Sequence, residues 1–206
     1  MKRVAIIGYS GHAYVVLDAC RRSNVDVAYY CAPKPTVFDP YGLTYLGDEA
    51  AEDFDWSLID AFLLGIGDNH IRAKVAQKIK EKGKHLLNVV HPTSVVSSSV
   101  QFDQGNFFAA GSVFNPLVTI GNSCVVNTGA IVEHECVLGN YVHIAPGAVL
   151  AGNVHVGDYS FVGANAVIKQ GTKVGTDVTI GAGSVVLRDV PNGEIWVGNP
   201  AKILKK

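Results

Sequence analysis

The chain has 206 residues, enough for one ordinary domain or two small ones, and its 48% hydrophobic and 17% charged content excludes a disordered protein. A formal net charge of −1 without any basic stripe argues against a nucleic-acid partner. The opening MKRVAIIGYSGH carries too short an apolar run for a signal core or a membrane span, and Cys20, Cys31, Cys124 and Cys136 lack CxxC spacing, so a cytoplasmic protein with reduced thiols is expected.

Residues 1–88 alternate strands with helices. RVAIIG reads as a buried strand, Gly8-Tyr9-Ser10-Gly11-His12 as a tight turn, residues 13–22 as a helix with an apolar face, and VDVAYYC as a second strand. DAFLLGIG follows as a strand, residues 69–82 as a helix, and HLLNVV as a last strand running into His91-Pro92. That order predicts a small parallel sheet of the doubly wound kind, with ligands at the carboxyl ends of the strands, where residues 8–12 and 65–69 fall. The glycine turn can offer backbone N–H groups to phosphate. It is not GxGxxG, because Ser10 and Ala13 stand at two glycine positions, and YYCAPK puts no acid at the end of the second strand. Both departures disfavour a nicotinamide dinucleotide. A turn serving packing alone remains an alternative.

From Val90 the pattern changes. Every sixth residue from Val90 to Val186, seventeen in succession, is Val, Ile, Leu or Phe, and the residue four places later is nearly always small or β-branched, as at Cys124, Ala130, Cys136 and Ala148. Neither the helical period of 3.6 nor strand alternation produces this. A six-residue period is that of a β-helix: three short strands make a triangular coil of 18 residues, and coils stack at roughly 4.8 Å. The expected architecture is α/β plus β-solenoid, a Rossmann-like domain over residues 1–88 and a β-helix with a C-terminal tail over 89–206.

The repeat resembles the left-handed β-helix of the hexapeptide-repeat acyltransferases, and DVPNGEIWVGNPAKILKK, with Gly198-Asn199-Pro200-Ala201-Lys202, resembles that family's close. A short Rossmann-like domain with Gly8-Tyr9-Ser10-Gly11-His12 fused to such a helix is similar to the bacterial sugar-nucleotide N-acetyltransferases, which acetylate the 4-amino group of UDP-linked amino-dideoxy sugars. The resemblance implies acetyl-CoA as co-substrate without a metal, and a homotrimer with active sites between subunits. It also implies a sugar nucleotide held through Gly8, Ser10, Gly11 and His12. GIGDNHIR resembles a family segment near the sugar nucleotide and adds Gly67, Asp68 and Asn69, with Asp68 where Asn is more usual. Cys31-Ala32-Pro33-Lys34 replaces the acidic residues common after the second strand, which leaves the uridine and ribose contacts open.

Within the repeat, EHECVLGNYVH holds His134 and Glu135 at the third and fourth places of the hexad that begins at Val132, on a corner and away from the inward position. One coil later stands Gly152, a bare backbone amide above an imidazole. The pair suits acyl transfer: the imidazole takes a proton from an amine while an N–H holds the carbonyl oxygen as it gains charge. An ordinary histidine titrates near roughly pH 6.5 and can act as a base at neutrality. Glu135 can orient the ring, as a carboxylate does in a hydrolase triad. The resemblance gives His134 and Glu135 the same catalytic roles, places an Asn of the site on Asn127, and puts the oxyanion amide on Gly152. A plain surface histidine is the alternative. His143, half a coil further round, points away from His134 and can meet it only from a neighbouring subunit. Acetyl-CoA is expected along the C-terminal coils, close to backbone at Gly163, Gly171, Gly181 and Gly183, with Lys202, Lys205 and Lys206 for its phosphates. His70, His85, His91 and His155 read as solvated or loop residues, and Cys124 and Cys136 as packing.

The leading expectation is therefore an acetyl-CoA-dependent N-acetyltransferase for a UDP-linked 4-amino sugar. Its runners-up are an enzyme for a GDP-linked amino sugar of the perosamine type and a sialic-type sugar O-acetyltransferase. Two other classes stand behind these. A zinc β-helix hydratase needs three convergent histidines, which the spacing of His134, His143 and His155 does not supply. A non-catalytic trimeric scaffold has no use for the His-Glu pair.

Overall fold

The computed structural model describes residues 2–204. Strands β1 (Val4–Ile7), β2 (Tyr29–Cys31), β3 (Thr44–Tyr45), β4 (Ala61–Leu64) and β5 (His85–Leu86) form one parallel sheet in the order β3-β2-β1-β4-β5. VAII and AFLL are buried throughout, as strands covered on both faces must be. Helix α1 (Gly11–Arg22) covers one face with Ala13, Val16, Leu17 and Cys20, and helix α2 (Asn69–Glu81) the other with Ala76 and Ile79. Strand order reverses between β1 and β4, so their carboxyl ends open a crevice. There the two following turns touch. A Cβ on Gly65 would lie 2.5 Å from the Gly8 carbonyl oxygen and 2.6 Å from the Ala13 Cβ, so only glycine lets them approach this closely.

Two details differ from the sequence reading. β3 was not expected, being two residues in a stretch rich in Gly and Pro. HLLNVV is two strands: β5 closes the N-terminal sheet, and Val89–Val90 opens the solenoid. Asn88 makes the transfer. Its Oδ1 accepts from the Asn106 N–H at 2.7 Å, and its Nδ2 donates to the Asp103 carbonyl at 2.9 Å, so its side chain already belongs to the first coils.

The solenoid has three parallel faces. Face I contains Phe107–Phe108, Val125–Val126, His143–Ile144, Phe161–Val162 and Thr179–Ile180; face II contains Val113–Phe114, Ile131–Val132, Val149–Leu150, Val167–Ile168 and Val185–Val186; face III contains Thr119–Ile120, Val137–Leu138, His155–Val156 and Lys173–Val174. Coils are joined by bonds such as Ile131 N–H to the Ala148 carbonyl at 2.9 Å and Val149 N–H to the Ala166 carbonyl at 2.8 Å. Inward residues from Phe108 to Val186 are all at most 3% exposed, and the small residues between them, Cys124 and Cys136 included, are buried as well. Val90, Val96 and Phe102, in the first coil with nothing stacked beneath it, stay partly open. The far end is covered by Trp196 and by Lys202–Ile203, which turns antiparallel to Ile195–Val197. Helix α1 and β1 share one core with the outward side chains Val89, Phe107 and Val125, so the N-terminal domain sits on the lower half of face I.

Ile144 fills the middle of the stack without exposure. Truncation to Ala in a core this regular leaves a cavity that rungs above and below cannot close independently. Ile144→Ala is expected to lower unfolding stability by about 2–5 kcal/mol, read as a lower denaturant midpoint with an unchanged slope.

Candidate active site

His134 and Glu135 occupy the corner between faces II and III. Glu135 is in the left-handed conformation, φ 60°, as are Leu117, Asn153 and Gly171 at the same corner of other coils. The turn brings Glu135 Oε2 to 3.1 Å from His134 Nδ1, with both side chains about half exposed. A carboxylate accepts only, so the proton belongs on Nδ1 and the lone pair on Nε2. Directly above lies Gly152, as the spacing predicts. A Cβ there would be 2.4 Å from His134 Cε1 and 2.5 Å from Nε2, so the ring holds its place only because residue 152 has no side chain. The rungs are fixed by Asn153 N–H to the His134 carbonyl at 2.8 Å and Gly171 N–H to the Gly152 carbonyl at 3.0 Å. The Gly152 N–H donates to none of the described residues, which leaves it free beside a basic nitrogen.

A second cluster lies where the N-terminal domain meets face I. His143 is buried at 8% exposure, with Phe161 edge-on to its ring and the His12 ring centroid 6.1 Å away. Within one chain it lies on a different face from His134, and the docked domain encloses it. Its Nδ1 meets the Gly67 carbonyl at 3.2 Å and its Nε2 meets Asn127 Nδ2 at 3.3 Å. Burial, followed by the charge of the nearby Arg72, lowers the His143 pKa to about 4, and the same two causes lower His12 to about 4. Both rings are therefore neutral near pH 7. His12 Nε2 is buried without a partner among the described residues. Asn127 thus joins His143 and not His134 within one chain.

The remaining predicted residues fall in three places. Gly8, with φ 83°, and Ser10, whose side chain makes no capping bond, lead into α1 together with Gly11; no acidic residue stands in the first turn, so the helix end is free to receive an anion. Asp68 and Asn69 have structural duties that the sequence did not reveal. Asp68 caps α2 by accepting from the Ile71 N–H at 2.8 Å, and buried Asn69 donates to the Tyr159 and Ser160 carbonyls at 2.8 and 3.1 Å. Gly171 is an exposed left-handed corner one coil above Asn153, and Lys202 is an exposed residue of the capping strand. Lys205 and Lys206 lie outside the described residues. Gly163 has a packing reason of its own, since a Cβ there would lie 2.6 Å from the Ala182 nitrogen and the Ile180 carbonyl oxygen. His91, expected to be solvated, is buried and accepts at Nδ1 from the Thr93 N–H at 3.1 Å. The sequence reading missed Arg72, 1% exposed, although Asn69, Arg72, Ala76 and Ile79 share the buried helical face. Among the described residues, no group of three or more His, Cys, Asp or Glu is placed to hold a metal ion, and no helix is long and apolar enough to cross a membrane.

Two family models match the chain: the PglD N-terminal domain over residues 3–79, and the bacterial transferase hexapeptide (six repeats) over residues 117–152 and 153–188. A UDP-N-acetylbacillosamine N-acetyltransferase of Bacillus subtilis (strain 168) is 32% identical over 113 residues, 53% of this chain; the match spans about half, 52%, of that curated relative. Among solved structures, PerB from Caulobacter crescentus in complex with CoA and GDP-perosamine is 37% identical, with a TM-score of 0.94 over 100% of this chain and 98% of that one. The acetyltransferase domain of PglB from Neisseria gonorrhoeae FA1090 in complex with acetyl coenzyme A is 32% identical, with a TM-score of 0.91 over 98% and 99%. With the repeat, the docked α/β domain and the His134–Glu135 corner in place, the chain belongs to the sugar N-acetyltransferases of the hexapeptide-repeat, left-handed β-helix superfamily.

Proposed function

We propose that the chain transfers the acetyl group of acetyl-CoA to the 4-amino group of a nucleotide-linked amino-dideoxy sugar, with His134 as general base. The observation that carries this reading is the His134 ring held by Glu135 at Nδ1 beneath the unbonded Gly152 N–H. In the proposed step the sugar amine attacks the thioester carbonyl, and its proton passes to His134 Nε2. The Gly152 N–H receives the developing oxyanion, and Glu135 stabilises the imidazolium. Collapse breaks the C–S bond, and the proton returns from His134 to the departing thiolate. No covalent enzyme intermediate is required. The free N-terminus of α1, with Gly8, Ser10 and Gly11, serves the diphosphate, while Gly171 and Lys202 flank the route for CoA.

A UDP-linked sugar is the first reading of the nucleotide. A GDP-linked amino sugar is the second, favoured by the 37% identity across the whole chain with the protein crystallised with GDP-perosamine, and by the lack of an acid after β2. A panel of UDP- and GDP-linked amino sugars incubated with acetyl-CoA and scored for an added acetyl mass decides between them. No product from any of them sinks the proposal. His134→Ala should lower turnover by roughly 10² to 10⁴ with little change in acetyl-CoA affinity, and a loss below threefold places the base elsewhere.

We further propose a homotrimer that completes the site across subunits. The outward side chains of face II are Val113, Ile131, Val149, Val167 and Val185, an aliphatic ladder in register, whereas face III presents Thr119, Val137, His155 and Lys173, and face I is partly covered. Turning face II toward a threefold axis buries that ladder and sets the corner after face II of one subunit against the corner before it in the next. His134 and Gly152 then meet the neighbour's Asn127, His143 and His12. Mixing His134→Ala and Asn127→Ala subunits and letting them reassemble should restore activity that neither variant has alone, because some interfaces pair two intact corners. Absence of any recovery in verified mixed trimers would place each site within one chain.

A further inference from the structure

Among the described residues, the Arg72 guanidinium donates to six backbone or side-chain oxygens, none of them a carboxylate. Nε donates to the Ser123 carbonyl at 2.7 Å; Nη1 donates to the Ile66 and Gly67 carbonyls at 3.2 and 2.9 Å; Nη2 donates to Asn69 Oδ1 and the Tyr141 carbonyl, both at 2.9 Å, and to the Val142 carbonyl at 3.5 Å. The acceptors come from the β4–α2 turn, from α2 itself, and from two successive coils of the solenoid. A planar fork with five N–H groups in fixed directions is the side chain that can satisfy such a set.

One of these carbonyls, that of Gly67, also receives His143 Nδ1. A carbonyl accepts only, so the imidazole proton must sit on Nδ1. The other ring nitrogen leads to the same conclusion independently. The Thr128 N–H donates to Asn127 Oδ1 at 2.8 Å, which fixes the amide and turns Nδ2, a donor, toward His143 Nε2. Nε2 must accept. A proton on that nitrogen would set two donors against each other in a buried site.

We infer that Arg72 is a positioning residue: by pinning the Ile66–Gly67 turn to the solenoid, it presents the Gly67 carbonyl to His143 and so holds that ring in its Nδ1–H tautomer, with Asn127 oriented by the Nε2 lone pair. The chain of donors runs from Arg72 and His143 into the shared Gly67 oxygen, and from Asn127 into His143. Among the described residues, Asn127 keeps a second N–H uncommitted at the corner between faces I and II. The functional importance of that N–H rests on the proposed shared site; the tautomer does not.

The test reads the tautomer directly. The full-length protein, labelled with ¹⁵N in its histidines, is examined by long-range ¹H–¹⁵N correlation at pH 7, and His143 is assigned by comparison with His143→Gln. The wild-type chain should show a protonated Nδ1 and an unprotonated Nε2. In Arg72→Met, shown to be folded and assembled, both tautomers should appear, and kcat should fall by roughly 10²-fold while KM for acetyl-CoA changes less than threefold. Arg72→Lys, which keeps the charge and some of the bonds, should recover part of the single-tautomer signal. A wild-type His143 protonated at Nε2 overturns the inference, as does a folded Arg72→Met that retains one tautomer. Should Arg72→Met fail to fold, the wild-type spectrum and Arg72→Lys still decide. A chain with the expected tautomer that acetylates no amino sugar contradicts the proposed reaction and leaves this inference standing.

Discussion

The uninterrupted 18-residue coil is the constraint on which the rest depends. From Val89 to Val167 the outward residue of each strand donates to the carbonyl seventeen positions later, so the residue at a corner of these coils is roofed by the one eighteen positions on. The column through the candidate base reads Pro116, His134, Gly152, Gln170. Any side chain at residue 152 would occupy the space of the imidazole, and an insertion of one residue between the two would put Ala151 there instead, a deletion of one Asn153. The backbone bonds on either side of Gly152 hold both neighbouring rungs, which makes the spacing between ring and amide a property of the fold and not of a flexible loop.

The same ladder serves three unlike surfaces because only its outward residues differ. Face I gives its lower half to the α/β domain through Val89, Phe107 and Val125; face II stays aliphatic; face III is polar. The inward residues are Val, Ile, Leu and Phe and fill the core. Corners carry the chemistry, because only there does the chain leave the ladder and release an N–H, as at Gly152, or adopt a left-handed turn that aims a side chain sideways, as at Glu135.

Most of this architecture was legible in the sequence because a six-residue period records its own geometry. The hexads from Val90 onward gave the coil, the coil gave the vertical neighbour of His134, and that neighbour suggested the proposed chemistry. What was not legible depends on contacts between segments far apart in the chain. His143 is a face I residue by period, and nothing local indicates that the β4–α2 turn will cover it. Asp68 and Asn69 resemble ligand-binding residues in a turn at the carboxyl end of a strand, yet one caps a helix and the other bridges to residues ninety positions away. β3 escaped notice because two residues hold no period. Arg72 is an intermediate case: its place on the buried face of α2 could be read from spacing, but its acceptors could not, since backbone carbonyls leave no mark in a sequence.

The choice of carbonyls as acceptors has an electrostatic consequence. A buried guanidinium paired with a carboxylate would be neutralised locally, and its field at nearby groups would largely cancel; removing one partner of such a pair leaves an unpaired charge at high cost. Neutral oxygens, backbone carbonyls and the Asn69 amide, accept from the guanidinium while leaving its positive charge in place, so the field persists at His12 and His143 and acts with burial to keep both rings neutral. A carboxylate in the same position would instead stabilise a protonated His143, and a protonated ring would turn Nε2 into a donor facing the donor of Asn127. The lack of a carboxylate among the acceptors of Arg72 and the presence of an amide donor at Asn127 therefore agree on the same state of one imidazole. Two parts of the chain far apart in sequence, helix α2 and the corner between faces I and II, agree on where that proton lies.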